Sequence, residues 1–324
     1  MELSNINNKV LYLEDMDGLT LAGSISQPTR ITLSETDGDT IFSMLQYGDF
    51  SGTIRLDLAK TLKEYTSPLF PYDEWSGNQE QVLELTFKIA TTTYVQTHVF
   101  TLNCFSKDAL IRMSDIDVLD VPMLDMLPLP VTIHPIGAET TIIRKRATTM
   151  EELSQEACDH LGLGVFHKFI YPDTLHDASQ FCILMRQSSG PDLMSPVYRP
   201  APGHFELFLF QNRFGGLELF PMSGDLLLAP DYKYDVSRMG PYANSTLKTE
   251  DVTLTQYTGP LSRQASKVLA SMLAGGHAFH YLNGDWKRII ITETKISLKR
   301  NDFVHRHNFS FRYQEDVPIR EINI

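Results

Sequence analysis

Alternation of apolar and polar residues constrains this chain more than any other feature. The alternation runs over residues 82–89 and returns over 94–102 after a threonine-rich joint. A period of two residues places apolar side chains on one face of a β-strand, and β-branched and aromatic residues favour strands. The two segments are therefore predicted to be neighbouring antiparallel strands. Residues 53–58 alternate apolar and charged side chains and predict a third, half-buried strand.

The second half of the chain continues the strand pattern to its end. Asn283-Gly284 lies between two apolar runs and predicts a hairpin, and residues 211–216 predict another. The predicted strands are 131–133, 140–144, 165–171, 180–185, 205–210, 217–220, 278–282, 286–298 and 303–313.

Helical patterns are few. Residues 59–65 predict one short helix, closed by Ser67-Pro68. Residues 261–273 predict an amphipathic helix, because their apolar side chains recur at helical spacing and form one stripe. Residues 150–161 are ambiguous, since three glutamates favour a helix but no apolar face forms.

Proline and charge divide the chain near residue 130. Four prolines lie between residues 121 and 135, and proline interrupts strand ladders. Residues 1–130 carry 8 Lys and Arg against 19 Asp and Glu, whereas residues 131–324 carry 20 against 21. The prediction is a mainly β protein with two β-sandwich-like domains, an acidic one over 1–130 and one over 131–324 that packs helix 261–273.

Composition argues against several classes of protein. No apolar run approaches the ~18–20 residues of a membrane span, and the acidic, polar N-terminus is unlike a secretory signal. We therefore expect no membrane insertion and synthesis in a cytoplasm. The acidic first half repels phosphate, which argues against nucleic acid as a partner. The three cysteines, Cys104, Cys158 and Cys182, lack the spacing of a disulfide framework or a zinc site.

Two acidic motifs invite a metal interpretation and fall short of it. Residues 15–20 resemble the nucleophile loop of haloacid dehalogenase-type phosphatases, but Leu19 separates the glycine from the threonine. Residues 37–39 carry two aspartates around a glycine, but a calcium loop needs Glu at its twelfth position, which is Gly48 here. We predict an acidic hairpin turn at the first motif and a turn at the second.

His305 and His307 are the remaining candidate metal ligands. On a strand they share one face with Phe303, Phe309 and other aromatic residues, and no companion ligand is placed by spacing. The pattern favours an aromatic core or interface stripe. No nucleophile elbow, phosphate-binding loop or HExxH sequence occurs, so no catalytic, cofactor-binding or metal residue is predicted. A hydrolase built across strands is the least favoured alternative.

Aromatic residues crowd the predicted hairpin after residue 205. Its first strand is apolar on both faces, and such a strand is buried on both, against its own core and against a helix or another subunit. The predicted core or interface residues are Phe208, Phe210, Phe214, Leu217, Phe309 and Phe311.

Trp75 beside Asp73 and Glu74 carries the alternative function. An exposed aromatic ring next to carboxylates is typical of carbohydrate sites. A β-sandwich module that binds a host glycan is therefore the second hypothesis.

Several sequence pieces of the last third follow one another in a fixed order. They are Asn212-Arg213-Phe214-Gly215 in the hairpin, Tyr257-Thr258-Gly259-Pro260-Leu261-Ser262 before the helix, the helix through Leu273, Trp286-Lys287-Arg288, Ile296-Ser297-Leu298, and Phe309-Ser310-Phe311-Arg312-Tyr313 with Glu315-Asp316. This order resembles a recurring tail-structure protein of tailed phages that infect Bacteroides and related bacteria. The resemblance implies a virion part of the distal tail or baseplate, assembled from copies of itself and other tail proteins, without a cofactor or catalytic motif.

Overall fold

The computed structural model describes residues 2–3, 10–22, 27–35, 38–63, 76–78, 82–90, 95–103, 113–122, 127–133, 140–158, 165–171, 180–187, 192–212, 216–239, 242–275, 277–298 and 302–315. In this part of the chain, none of the helices has the length and apolar character needed to cross a membrane.

These residues form 24 strands, two α-helices and a 3-10 helix over Leu13–Met16. The helices are α1 (Ala59–Lys63) and α2 (Arg263–Leu273). The strands in chain order are β1 (Glu2–Leu3), β2 (Val10–Tyr12), β3 (Asp17–Ala22), β4 (Thr29–Glu35), β5 (Thr40–Gln46), β6 (Ile54–Asp57), β7 (Ser76–Asn78), β8 (Val82–Ala90), β9 (Val95–Asn103), β10 (Val118–Pro122), β11 (Leu129–Ile133), β12 (Thr140–Arg146), β13 (Glu152–Ala157), β14 (Val165–Ile170), β15 (Phe181–Gln187), β16 (Leu193–Met194), β17 (Val197–Ala201), β18 (Glu206–Gln211), β19 (Leu217–Met222), β20 (Leu226–Met239), β21 (Tyr242–Tyr257), β22 (Ala278–Leu282), β23 (Asp285–Lys295) and β24 (Asn308–Tyr313).

Two sheets of the first half face each other across one apolar cluster. A three-stranded sheet has the order β1-β3-β6, and a five-stranded sheet has the order β2-β9-β8-β4-β5. Strands β3 and β6 contribute Leu21 and Ile54 to the cluster, and strands β4 and β8 contribute Ile31 and Phe87. Side chains from two sheets that meet in one core make a β-sandwich, so this part is sandwich-like, as predicted.

Three further sheets and α2 surround a second apolar cluster. Their orders are β10-β17-β15-β12-β13 with β16 beside β15, β11-β14-β7, and β19-β18-β22-β23-β24-β21-β20. The mainly β prediction is confirmed. The domain boundary at residue 130 stays a prediction, and Ile116, Leu119 and Val121 pack in this second cluster. Strand β7 pairs with β14, which links the two halves of the sequence.

Helix α2 forms where the apolar stripe predicted it. Ser262 is the N-cap, and its side-chain oxygen accepts a hydrogen bond from Ala265 N at 3.1 Å, which satisfies one of the free N–H groups of the first turn. The buried face includes Leu269, Met272 and Leu273. This helix is the one the prediction placed in the C-terminal part.

The predicted hairpins are confirmed. Strands β8 and β9 pair antiparallel, and β18 pairs antiparallel with β19. Asn283 and Gly284 connect β22 to β23 with φ values of 52° and 89°. Two consecutive positive φ angles are the geometry of a type I′ turn, whose twist matches that of the flanking strands.

Within the ambiguous segment 150–161, the described residues Glu152–Ala157 form the edge strand β13 rather than a helix. It pairs with β12, and most of its residues are exposed or half-buried. Strand pairing overrides the helical preference of its glutamates here, because an edge strand tolerates charged side chains on its solvent side. Asp15 and Asp17 also depart from the prediction, since a 3-10 helix precedes β3 where an acidic hairpin turn was expected.

Candidate interaction sites

The predicted aromatic residues form the centre of the chain's own core. Phe208 and Phe210 are 0% exposed, and their rings lie 5.8 Å apart. Phe309 and Phe311 meet Phe208 edge-on at 5.4 Å and 5.7 Å. Leu217 is also buried. These side chains are thus covered within one chain and offer no surface to a second one.

Four further residues of the prediction lie outside the described residues. They are Asp73, Glu74 and Trp75 of the carbohydrate hypothesis, and Phe214 of the hairpin. The carbohydrate hypothesis therefore stays a prediction.

His305 and His307 are buried beside each other. Their rings stack with centroids 6.0 Å apart, and the Nε2 atoms of both have no hydrogen-bond partner. His307 Nδ1 accepts from Ser297 N at 3.4 Å, so the ring proton of neutral His307 lies on Nε2. Burial lowers the pKa of His307, and the neighbouring His305 lowers it further. Within the described residues, no group of three or more His, Cys, Asp or Glu is placed to hold a metal ion.

The predicted aromatic stripe of the last strand is wrong at Phe303, its first residue. Phe303 is 94% exposed, although it was expected on the face of His305 and Phe309. The reason is that β24 begins only at Asn308, and His305 makes an isolated bridge to Leu261. The strict alternation of a strand therefore does not extend back to residue 303.

The acidic motifs have structural partners. Asp17 Oδ1 accepts a hydrogen bond from Ala59 N at 3.0 Å and thereby caps the first turn of α1. Gly38 lies between β4 and β5 with a φ of 96°, and its N–H donates to Glu35 O at 3.0 Å. That contact is the predicted turn.

A polar chain that sequence analysis missed crosses the aromatic core. His280 is 0% exposed, its Nε2 lies 2.8 Å from Glu206 Oε2, and its Nδ1 lies 2.8 Å from Tyr313 Oη. Burial by itself raises the pKa of Glu206, but hydrogen bonds from His280 and His204 outweigh it and leave that pKa below its ordinary value. The side chains of Glu206, His280 and Tyr313 thus satisfy one another, as polar groups in a core of low dielectric constant require.

A second buried carboxylate joins two segments that are distant in sequence. Glu218 on β19 is 6% exposed; Ser114 Oγ donates to its Oε1, and Asn212 Nδ2 lies 3.3 Å from its Oε2. Burial raises the pKa of Glu218 from 4.5 to about 7, although both hydrogen bonds oppose the rise. The contact holds the segment before β10 against the β18–β19 hairpin.

The two longest strands of the described residues, β20 and β21, form one hairpin. The two strands pair from Leu226 and Gln256 to Met239 and Tyr242, whereas β24 pairs with β21 only over 254–257. We call the remainder, residues 229–239 and 242–253, the arm. At about 3.4 Å per residue the arm is about 35 Å long.

The arm is a two-stranded ribbon at the edge of its sheet. Among the described strands, residues 242–253 of β21 pair with β20 alone. Strand β20 is the last strand of the sheet. Ala229, Pro230 and Asp231 at its base are exposed. Pro230 fits this place because an edge strand needs no outward N–H group. An isolated two-stranded hairpin is marginally stable in water, and neither outer edge of the arm pairs with a further strand of the described residues.

A second unpaired edge lies at β10, beside a groove. This strand ends the six-stranded sheet and pairs in parallel with β17. The groove has a volume of about 610 Å³, and its walls include Val118, Phe205, Phe220 and Leu261. Arg199 and Asp120 form an ion pair on its rim, with Nη2 and Oδ2 2.9 Å apart.

Comparisons with known proteins do not assign a family. No family model matches the chain, and no curated protein matches it. Solved structures with a partial likeness include a Salmonella alpha-2-macroglobulin (8% identity, 78% of this chain and 20% of that one, TM-score 0.19), a titin Z1Z2 tandem (12%, 63% and 99%, 0.18) and chicken CNTN1 FN1-FN3 domains (9%, 88% and 93%, 0.21). The chain thus spans about a fifth of the first of these, and TM-scores this low support no functional argument.

Proposed function

We propose that this chain is a structural subunit that acts by protein–protein assembly, and that the assembly is a phage tail or baseplate. The observation that carries the assembly role is the arm. Neither outer edge of this ribbon, which is about 35 Å long, pairs with a further strand of the described residues, and pairing with another chain would satisfy the backbone groups of those edges.

The sequence resemblance supports the tail as the particular assembly. Of the pieces that carry the resemblance, α2, Trp286-Lys287-Arg288 in β23 and Phe309-Ser310-Phe311-Arg312-Tyr313 in β24 share a sheet or a core with the root of the arm. A repeated subunit that projects a strand ribbon can extend the sheet of its neighbour, and a ring uses one such contact many times.

Sedimentation velocity over a wide concentration range tests the assembly role. The full chain is compared with a shortened variant in which residues 233–249 are replaced by Asn-Gly, joining Tyr232 to Glu250, which are paired in the arm. A two-residue Asn-Gly loop suits such a hairpin. We expect the full chain to associate as concentration rises and the shortened variant to stay monomeric.

If the full chain sediments as a 36.8 kDa monomer at every concentration, the proposed assembly role is contradicted. The tail assignment has its own measurement. Mass spectrometry of density-purified virions should detect the chain in fixed stoichiometry to the tail proteins, and its absence from particles would refute that assignment.

A further inference from the structure

A pocket lies beside Tyr257 on the outer side of the seven-stranded sheet. Its volume of about 380 Å³ falls within the roughly 300–1,000 Å³ of pockets that hold small molecules. On the other side of the same strands, Leu254, Phe309 and Phe311 belong to the aromatic core. Because successive side chains of a strand point to opposite faces, the residues between them face the solvent.

One row of polar side chains crosses three strands at this pocket. Tyr257 on β21 lies opposite Asn308 on β24, and Asn308 lies opposite Lys295 on β23. Tyr257 is 40% exposed. Side chains that lie directly opposite each other have Cβ atoms about 4.5–5.5 Å apart. The row therefore brings a phenol ring, an amide and an ammonium group together at the surface.

A second row lies two residues further along the strands and crosses four of them. It runs through Leu227 on β20, Thr255 on β21, Ser310 on β24 and Glu293 on β23. Thr255 Oγ1 and Ser310 Oγ lie 2.9 Å apart. Because neighbouring strands are about 4.8 Å apart, four strands span about 14 Å. The pocket thus has an apolar end at Leu227 and a charged end at Glu293.

The charges at the pocket are balanced. Glu293 and Lys295 are the one acid and the one base among the described residues that line it, and Glu293 Oε1 lies 3.2 Å from Lys295 Nζ. Their charges offset each other, so the pocket favours neither an anion nor a cation. A carboxylate has two acceptor oxygens and an ammonium group has three donor protons, so both keep hydrogen-bonding capacity beyond this pair.

A neutral saccharide has the chemistry that suits this lining. One face of a pyranose ring consists of C–H groups and packs on an aromatic ring such as that of Tyr257. Its hydroxyl groups both donate and accept, as do the amide of Asn308 and the hydroxyls beside it. An alkyl chain would bury these polar groups without partners. A peptide strand would need the backbone groups of a sheet edge, whereas β23 and β24 are interior strands of the sheet.

We propose that this pocket binds a neutral mono- or disaccharide unit, which stacks on Tyr257 and forms hydrogen bonds with Asn308 and the Glu293–Lys295 pair. This site goes beyond the assembly role and does not depend on it. It is also a different site from the one predicted at Trp75.

An array of immobilised neutral and acidic saccharides, probed with the labelled full chain and its variants, tests the site. We expect the natural chain to bind at least one neutral saccharide. Tyr257→Ala removes the ring and should weaken that binding about tenfold or more, whereas Tyr257→Phe keeps the ring and should leave it unchanged. Tyr47→Ala is the matched control, because Tyr47 is a 67% exposed tyrosine away from the pocket.

Asn308→Ala removes the amide of the first row and tests the site independently of the ring. It should weaken binding about tenfold. Circular dichroism shows whether each variant keeps the native fold, and Asn308→Ala decides the question if Tyr257→Ala does not fold.

Three results would overturn the proposal. They are an array on which no saccharide binds, binding to acidic saccharides alone, and binding to a neutral saccharide that neither Tyr257→Ala nor Asn308→Ala weakens. In the last case, loss of binding in Trp75→Ala would place the saccharide at the site predicted from the sequence. Sedimentation of the full chain is a separate measurement, so failure of the saccharide site leaves the assembly role standing, and failure of the assembly role leaves the saccharide site standing.

Discussion

Replacing the buried carboxylate of Glu218 should change how the stability of the fold depends on pH. Burial raises the pKa of this group from 4.5 to about 7, which corresponds to about 3 kcal/mol of preference for the neutral form. Because the folded chain holds the proton more tightly than the unfolded chain, Glu218 contributes stability below pH 4.5. That contribution is lost as the pH rises to about 7.

Glu218→Gln keeps the shape and stays neutral at every pH. Its carbonyl can accept from Asn212 while its amide donates to Ser114 Oγ, so the two segments stay joined. Relative to the natural chain, the variant should gain about 3 kcal/mol of unfolding free energy between pH 4.5 and pH 8. All other titrating groups are the same in the two proteins, so their contributions cancel when the two unfolding free energies are subtracted at each pH.

Urea unfolding followed by circular dichroism at a series of pH values measures this difference. Glu293→Gln serves as the control, since Glu293 is an exposed carboxylate on β23. A constant difference between Glu218→Gln and the natural chain across this range, no larger than that of Glu293→Gln, would refute the role assigned to burial.

Three further predictions concern the core, the helix and an acid-sensitive histidine. Phe208→Ala should lower the unfolding free energy by about 4 kcal/mol, because Phe208 is fully buried among four aromatic neighbours; denaturant melts measure it. Ser262→Ala should cost about 1 kcal/mol through loss of the α2 cap, whereas Ser262→Asp should preserve stability. Burial lowers the pKa of His167 from 6.5 to about 4, so its stability contribution is present above pH 6.5 and lost as the pH falls to about 4. His167→Gln should therefore make unfolding less acid-sensitive by up to about 3 kcal/mol, and an equal acid response in both proteins would contradict this.

The strand content could be predicted where one face of a strand is buried. Strands β8, β9 and β18 alternate or concentrate apolar residues, and the turn at Asn283 needs two positive φ angles that Asn-Gly supplies. Strand β13 could not be predicted, because an edge strand with charged side chains has no buried face to leave a period in the sequence.

The arm escaped prediction although part of its sequence carries a strand signal. Tyr232, Tyr234 and Val236 alternate with Lys233, Asp235 and Ser237, as residues of a strand do. The contacts of Glu206 with His280, and of Glu218 with Ser114, join residues 74 and 104 positions apart. Spacing along the chain cannot predict pairs that only the packed sheets bring together. The burial of Phe208 and Phe210 could be predicted, but not that α2 and β24 of the same chain would cover them.

Amide hydrogen exchange at low and high protein concentration tests the assembly account most directly. The account predicts that exchange slows with rising concentration in the arm and stays unchanged on the buried strands β18 and β24. Arm amides that exchange at the same rate at every concentration, in a chain whose core amides are fully protected, would contradict it.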